Sequence, residues 1–162
     1  MTSLRAAAVL ALLALVSVHL GLPWNGEGGD LLGLLSREDI LGALPDWQAV
    51  SDAYQPCPEA VERLKAVAGT VEIKVFLGTW CPDSKAHVSE LFKVLDVVDN
   101  PRLNVSYIGV PRDKALRAEY YQGRNIERLP TFLVFVGGLE KGRIIEIPTV
   151  SIENDLADIL DR

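Results

Sequence analysis

The residues that could do chemistry in this chain are gathered around one cysteine, in the pentapeptide Trp80-Cys81-Pro82-Asp83-Ser84. The preceding residues 71–77 are rich in β-branched and aromatic side chains and predict a strand. Pro82 suits the first position of a helix, because its missing N–H would have no partner there. Cys81 is therefore expected at or beside the helix N-cap, where unpaired amides and the helix dipole stabilise an anion such as a thiolate.

A thiolate at this position is a candidate nucleophile for thiol–disulfide exchange, since it can attack one sulfur of a disulfide and later leave. Ser84 lies three residues further on and returns to the same side of the helix start, so its hydroxyl could donate a hydrogen bond to Cys81. Asp83 opposes the thiolate by like charge, and Lys85 is expected to offset Asp83 in part. The competing interpretation of Cys81 is an inert, buried thiol.

The sequence Trp-Cys-Pro-x-x-Lys after a strand resembles the active-site turn of the thioredoxin superfamily, with Cys-x-x-Ser where the family norm is Cys-x-x-Cys. A second motif, Ile126-Glu127-Arg128-Leu129-Pro130-Thr131-Phe132, resembles the family's loop with a cis-proline, which leads into a strand. Two motifs in this order extend the resemblance over roughly residues 56–162. The resemblance implies an α/β fold: a thioredoxin-like central mixed sheet with helices on both faces.

In this family the proline loop lies against the active-site turn. The resemblance implies that the backbone just before Pro130 pairs with a substrate peptide as an added strand, with apolar contact from Trp80 and Leu129. The alternative for Pro130 is an ordinary loop proline that starts a strand. The implied substrate-binding residues are Trp80, Pro82, Asp83, Leu129, Pro130 and Thr131.

The position six residues before Cys81 departs from the dithiol thioredoxins. These often carry a buried acid there, which helps to deprotonate the resolving thiol, whereas this chain has Val75. The missing acid and the missing second cysteine agree with each other, because a chain without a resolving thiol does not need the base. Both departures argue against an efficient dithiol reductant.

The second cysteine, Cys57, precedes a segment with helical spacing of its apolar residues. It is either a second redox cysteine that resolves or locks Cys81, or a small buried or capping residue. In the expected topology its helix starts above the far edge of the sheet, which disfavours direct contact with Cys81. Two cysteines and two histidines do not make a metal cluster, and no cofactor is expected.

Hydrophobic periodicity and turn residues predict the element order α-β-α-β-α-β-β-α over the thioredoxin-like part, with no convincing strand before residue 56. The βαβ units imply right-handed crossovers and a parallel core, to which a final hairpin adds antiparallel strands. The predicted helices are 58–68, 82–99, 113–122 and one beginning after Ser151. The predicted strands are 71–77, 103–110, 131–136 and 143–147, with a turn over 137–142 joining the last two.

The N-terminal region divides into a leader and an extension. Residues 1–22 join Arg5 to an apolar run over 6–18, as a signal peptide does. The alternative is an uncleaved N-terminal anchor, for which the run is a little short, because a spanning helix needs about 20 apolar residues. Residues 23–55 are expected to be a linker and an extension with a short helix capped by Ser36, and residues 56–162 the thioredoxin-like domain. The domain is expected to be exported, to the periplasm, the extracellular space or the outer side of a membrane.

These features predict an exported monothiol oxidoreductase or isomerase-like protein, in which Cys81 forms a mixed disulfide with a client protein and a second client thiol or a small thiol such as glutathione releases it. The net charge of −6, with no basic run, argues against nucleic acid as a partner. A membrane is a partner only if the N-terminal segment stays uncleaved. Two alternatives remain: a non-enzymatic module that holds peptides at the Pro130 loop, and a redox sensor that uses Cys57 and Cys81 together.

Overall fold

The structure is a computed structural model that describes residues 29–162. The predicted leader, residues 1–22, and the Gly-rich start of the linker lie outside the described residues. Within the described part, no helix is long and apolar enough to cross a membrane.

A five-stranded mixed sheet in the order β1-β3-β2-β4-β5 forms the centre of the described fold. Strands β2 and β3 are parallel, and the other neighbouring strands are antiparallel. The strands are β1 Gly33–Leu35, β2 Val71–Leu77, β3 Leu103–Gly109, β4 Thr131–Val136 and β5 Leu139–Ile145. The helices are α1 Arg37–Ala43, α2 Asp46–Ala53, α3 Pro58–Lys65, α4 Pro82–Val98, a 3₁₀ helix Lys114–Glu119, and α5 Ile152–Leu160. The predicted α/β fold with a mixed sheet is confirmed.

The two faces of the sheet carry apolar cores of different size. The larger core packs side chains from all five α-helices against one face, with Phe92 of α4 and Val75 of β2 among its fully buried members. The smaller core lies on the other face around Phe76 and Leu133, beneath the segment that contains the 3₁₀ helix. Alternating residues of a strand point to opposite faces, which is how β2 serves both cores.

The strand β1 was not predicted. It has only three residues, and Gly33, with a φ of +78°, interrupts an otherwise leucine-rich run that lacks clear alternation. It pairs antiparallel with the end of β3, where Gly33 lies opposite Gly109. A side chain at position 109 would place Cβ 2.2 Å from the carbonyl oxygen of Leu31, so this edge closes only around a glycine.

Two further boundaries differ from the sequence-based expectation. The segment predicted as a helix over 113–122 is a short 3₁₀ helix, in which Arg117 is buried. The final hairpin turns on two residues only, since Gly137 and Gly138 both have positive φ, and β5 therefore begins at Leu139 rather than at 143. A register shift between Val134 and Phe135 accommodates the added strand residues.

Two tyrosines are expected to make the free energy of unfolding fall at alkaline pH. Burial raises the pKa of Tyr107, and burial together with a hydrogen bond to Glu153 raises the pKa of Tyr54. The folded protein then retains protons that the unfolded chain releases. We expect these two groups to leave the unfolding free energy unchanged below about pH 10, and to lower it above that pH by at most about 1.4 kcal/mol per pH unit for each tyrosine.

Denaturant titrations between about pH 8 and pH 11 measure this effect. The Tyr107→Phe variant should lose less stability over this range than the parent protein, because it has one fewer proton to release on unfolding. Equal slopes in the two proteins would contradict the prediction.

Candidate functional site

The candidate active-site turn, residues 78–84, has the geometry that its sequence predicts. Cys81 is the N-cap of α4, with extended backbone angles of φ −93° and ψ 123°, and Pro82 occupies the first helical position. The Cys81 N–H donates to the Gly78 carbonyl at 2.9 Å, and the Cys81 carbonyl accepts from the Lys85 N–H at 3.0 Å. The first-turn amides beside the cysteine lie at the positive end of a 17-residue helix.

The sulfur of Cys81 lies against the proline loop. Its thiol donates to the Leu129 carbonyl at a sulfur–oxygen distance of 3.7 Å, and the following Leu129–Pro130 peptide bond is cis. Cys81 is 8% exposed and Leu129 is 6% exposed, and both belong to the smaller core. The structure therefore brings the cysteine motif and the proline motif into contact, 48 residues apart in the chain.

Ser84 braces the turn from within. Its hydroxyl is fully buried and accepts a hydrogen bond from the Gly78 N–H at 3.2 Å. This bond uses an oxygen lone pair and leaves the hydroxyl hydrogen uncommitted. The donation of that hydrogen to a Cys81 thiolate remains a prediction.

Lys85 forms its ion pair with a carboxylate other than that of Asp83. Its ammonium group pairs with the carboxylate of Asp46 on α2, and this hydrogen bond lowers the pKa of Asp46. Asp83 is half-buried in the first turn of α4. This ion pair links α2 to the start of α4, and its two residues are 39 positions apart in sequence. The partial offset of Asp83 by Lys85 stays a prediction.

The side chain of Trp80 is fixed on the surface of the smaller core. The indole N–H donates to the Val110 carbonyl at 3.3 Å. The guanidinium carbons of Arg112 and Arg117 lie 5.3 and 4.9 Å from the centroid of the ring. A side chain at position 78 would place Cβ 2.7 Å from the indole, so the ring needs Gly78 beneath it.

Neither arginine was singled out in the sequence. Arg112 lies in the irregular segment after β3, and Arg117 lies in the short 3₁₀ helix that follows it. Arg117 is buried, and its guanidinium donates to the carbonyls of Pro111 at 2.9 Å and Arg112 at 2.8 Å. The burial of Arg117 and its backbone acceptors become apparent only once the fold is known.

Cys57 occupies a different environment. It is the N-cap of α3, its N–H donates to the Glu153 carboxylate at 2.8 Å, and its thiol donates to Glu59 at 3.1 Å. The thiol hydrogen bond lowers the pKa of Glu59. Cys57 and Cys81 are both free thiols in this structure. The two cysteines are thus held by different partners, and their use as a redox pair remains a prediction.

The remaining substrate-binding candidates lie where the two motifs meet. Pro130 and Thr131 are buried, and the Thr131 hydroxyl donates to the Arg128 carbonyl at 2.7 Å. Pro82 is exposed at the start of α4. Val75, at the position of the missing acid, is fully buried in the larger core. In the described part of the chain, no cluster of three or more histidine, cysteine or acidic residues could hold a metal ion.

A family model described as thioredoxin matches residues 44–156, which is more than half of the chain. The chain belongs to the thioredoxin family. No curated protein matches its sequence.

Solved structures share the fold of this thioredoxin-family chain at low sequence identity. A protein of unknown function from Pseudomonas aeruginosa is 19% identical, with a TM-score of 0.53, covering 75% of this chain and 82% of its own. An HIV epitope scaffold is 18% identical, with a TM-score of 0.56 and coverages of 75% and 84%. Thioredoxin O2 from Arabidopsis thaliana is 18% identical, with a TM-score of 0.42 and coverages of 64% and 82%. The first two likenesses show the fold alone.

Proposed function

We propose that this thioredoxin-family protein carries out thiol–disulfide exchange through Cys81 as its single reactive thiol. The observation that carries the proposal is the position of the Cys81 sulfur, at the N-terminus of α4 and 3.7 Å from the Leu129 carbonyl of the proline loop. Reactive cysteines are commonly found at helix N-termini, and the thiolate is the nucleophilic form of cysteine. Ser84 stands where a resolving thiol would be, so exchange ends with a mixed disulfide that another molecule must release.

The exchange is balanced in sulfur and electrons. The Cys81 thiolate attacks one sulfur of a client disulfide, a new disulfide forms between Cys81 and the client, and the second client sulfur leaves as a thiolate. A client thiol that attacks this mixed disulfide restores Cys81 and leaves an isomerised client with no net electron transfer. When two molecules of a small thiol such as glutathione release the client instead, they supply the two electrons and become its oxidised disulfide.

The proline loop offers the client a place to bind. When Cys81 loses its proton, the Leu129 carbonyl loses its thiol donor. That carbonyl can then accept a backbone N–H from an extended client segment, which would add a strand beside Leu129. Exposed Pro82 and the half-buried Trp80 and Asp83 would contact the client around the sulfur. Export to an oxidising compartment is part of this proposal, since client disulfides persist there.

A second candidate function is a non-enzymatic module that holds client peptides at the proline loop. The burial of Cys81 favours it, because a sulfur with 8% of its residue exposed is less open to attack. Client binding in that case would depend on the loop and not on the sulfur.

The deciding experiment compares the protein with its Cys81→Ser and Cys57→Ser variants. Each is treated at neutral pH with bis(2-hydroxyethyl) disulfide, and adducts are identified by mass spectrometry before and after dithiothreitol. The parent protein and Cys57→Ser should form a reversible adduct at Cys81, at least about tenfold faster than the guanidinium-unfolded chain, whose thiols lack the helix end. The Cys81→Ser variant should form none at that rate.

Refolding of scrambled ribonuclease A then separates the two functions. The parent protein should accelerate the recovery of ribonuclease activity and Cys81→Ser should not. A folded parent protein whose Cys81 reacts no faster than the unfolded chain would overturn the exchange function and favour the binding module.

A further inference from the structure

We infer that Arg112 binds a carboxylate of the substrate next to Cys81, so that the protein prefers disulfides that carry negative charge close to their sulfur atoms. This inference rests on the exchange function proposed for Cys81. It is motivated by one exposed guanidinium group that lies beside the active-site turn and has no partner of its own among the described residues.

Arg112 contacts Trp80, the residue before the reactive cysteine. Its guanidinium carbon is 5.3 Å from the centroid of the indole ring, and Trp80 directly precedes Cys81 in the chain. Arg112 is exposed, whereas its neighbour Arg117 is buried. The indole therefore links the turn that carries Cys81 to an accessible positive charge.

The backbone of Arg112 is fixed on both sides. Its N–H donates to the Asp30 carboxylate at 2.8 Å, and its carbonyl accepts from the Arg117 guanidinium at 2.8 Å. Arg117 also packs on the indole ring. A guanidinium group attached at a fixed point loses less conformational freedom when it binds a ligand, which favours recognition at this position.

The side chain of Arg112, unlike those of four other arginines, has no carboxylate partner among the described residues. Several arginines form ion pairs, namely Arg37, Arg63, Arg128 and Arg143. Arg117 uses its guanidinium on backbone carbonyls. Among the described residues, the Arg112 guanidinium donates no hydrogen bond and forms no ion pair, and it stacks on the Trp80 ring. Its planar fork of N–H donors thus remains available, and this fork matches the two oxygens of a carboxylate.

The space beside this arginine suits a small acidic group. A cavity of about 160 Å³ is bordered by Thr79, Trp80 and Arg112 on the side of the active-site turn, and by Asp30 and Leu44 elsewhere. A volume of this size accepts a carboxylate and a few attached atoms but not a folded segment. Asp30 and the protein's net charge of −6 oppose an anion, so a preference for acidic substrates requires a local cation and is expected to be moderate.

The test compares three disulfides of different charge: oxidised glutathione, which is anionic, neutral bis(2-hydroxyethyl) disulfide, and cationic cystamine. Second-order rates of adduct formation at Cys81 are divided by the rates of an unstructured cysteine peptide with the same reagents. We expect the normalised rate for oxidised glutathione to exceed that for the neutral disulfide by about tenfold at low ionic strength, and to fall as salt screens the arginine. The normalised rate for cystamine should not exceed that for the neutral disulfide.

The variant Arg112→Gln should reduce the anionic-to-neutral ratio to about one, and Arg112→Lys should keep part of it as a point charge. The matched control is Arg102→Gln, which removes the same charge from the exposed residue just before β3. Arg102 precedes β3 and Arg112 follows it, and a strand of 7 residues is about 23 Å long at the rise of an extended chain. The control should leave the ratio unchanged.

The outcomes separate the inference from the function on which it rests. If the parent protein reacts readily with the neutral disulfide but shows no anionic preference, or if Arg112→Gln keeps the preference, the inference is wrong and the exchange function stands. An equal loss in Arg102→Gln and Arg112→Gln would also overturn it, because net charge would then explain the selectivity. If Cys81 reacts with none of the three disulfides, the proposed function fails and the inference fails with it.

Discussion

We expect the Ser84→Cys variant to lose a mixed disulfide at Cys81 about 100-fold faster than an external thiol at about 1 mM releases it from the parent protein. The new thiol would lie three residues from Cys81 at the start of α4. It would attack the Cys81 sulfur of the mixed disulfide, the client would leave as a thiolate, and an intramolecular disulfide would remain. An intramolecular thiol outcompetes a dilute external one because its effective concentration is far higher.

The measurement is the survival of a preformed adduct. The protein is charged with bis(2-hydroxyethyl) disulfide, excess reagent is removed, and samples are quenched in acid at intervals for mass spectrometry. The parent protein should keep its adduct until a thiol is added. The Ser84→Cys variant should lose the adduct without added thiol and emerge two hydrogens lighter than its fully reduced form.

Ser84→Ala is the control for the loss of the buried hydroxyl. It leaves the Gly78 N–H without the acceptor it has at 3.2 Å, which we expect to cost about 1–3 kcal/mol of stability. It adds no thiol, so its adduct should persist as in the parent protein. An adduct on Ser84→Cys that lasts as long as that on Ser84→Ala would show that the two positions cannot approach each other, contrary to the prediction.

Val75 limits how fast the Ser84→Cys variant can release its mixed disulfide. The apolar, fully buried side chain at this position offers no base for a new thiol at position 84. Release should therefore speed up as pH rises towards the ordinary range of a cysteine, about 8.5. Under the proposed function, the serine and the valine together predict a site that keeps its mixed disulfide rather than resolving it.

The active-site turn was predictable because its signals are local. A β-branched and aromatic run gives β2, and a proline directly after the cysteine starts α4, both within residues 71–82. These features depend on backbone sterics and on the pairing of helix-end amides, which a short stretch of sequence encodes. The Ser151 cap of α5 was found for the same reason, since its hydroxyl accepts from the Asn154 N–H three residues later.

The features that sequence missed depend on contacts between distant segments. Strand β1 has three residues and acquires its identity from Gly109, whose lack of a side chain admits the Leu31 carbonyl. The ion pair of Lys85 with Asp46 joins two helices. Arg112 and Arg117 gain their positions from Trp80 and from backbone carbonyls in an irregular segment. No periodicity or spacing encodes such contacts.

The boundary of the domain at its N-terminal side also depends on contacts between distant segments. Sequence patterns place the thioredoxin-like domain at residues 56–162, whereas the family match begins at residue 44. In the structure, Ile40 of α1 and Trp47 of α2 are buried in the larger core with Phe92 of α4. Lys85 adds an ion pair between α2 and α4. These contacts predict that α2 belongs to the same cooperative folding unit as α4.

Replacing Trp47 with alanine should therefore cost about 3–5 kcal/mol of unfolding free energy, the range for removing a buried large aromatic side chain. Trp47 is 1% exposed, so truncation would leave a cavity that the surrounding helices fill only in part. Trp47→Phe keeps an aromatic ring and should lose less. Urea titrations of both variants measure the loss as a lower midpoint with an unchanged m-value, which indicates a single cooperative unit.

The matched control for Trp47→Ala is Leu34→Ala on β1, because Leu34 belongs to the same N-terminal extension but is 77% exposed. Its stability should change by no more than about 0.5 kcal/mol, as for other surface substitutions. If Trp47→Ala also lost under about 1 kcal/mol, burial of the indole would not couple the extension to the domain. A large loss at position 47 beside a small one at position 34 would instead place α2 within the cooperative fold that holds α4, and hence within the support of the helix that carries Cys81 at its N-terminus.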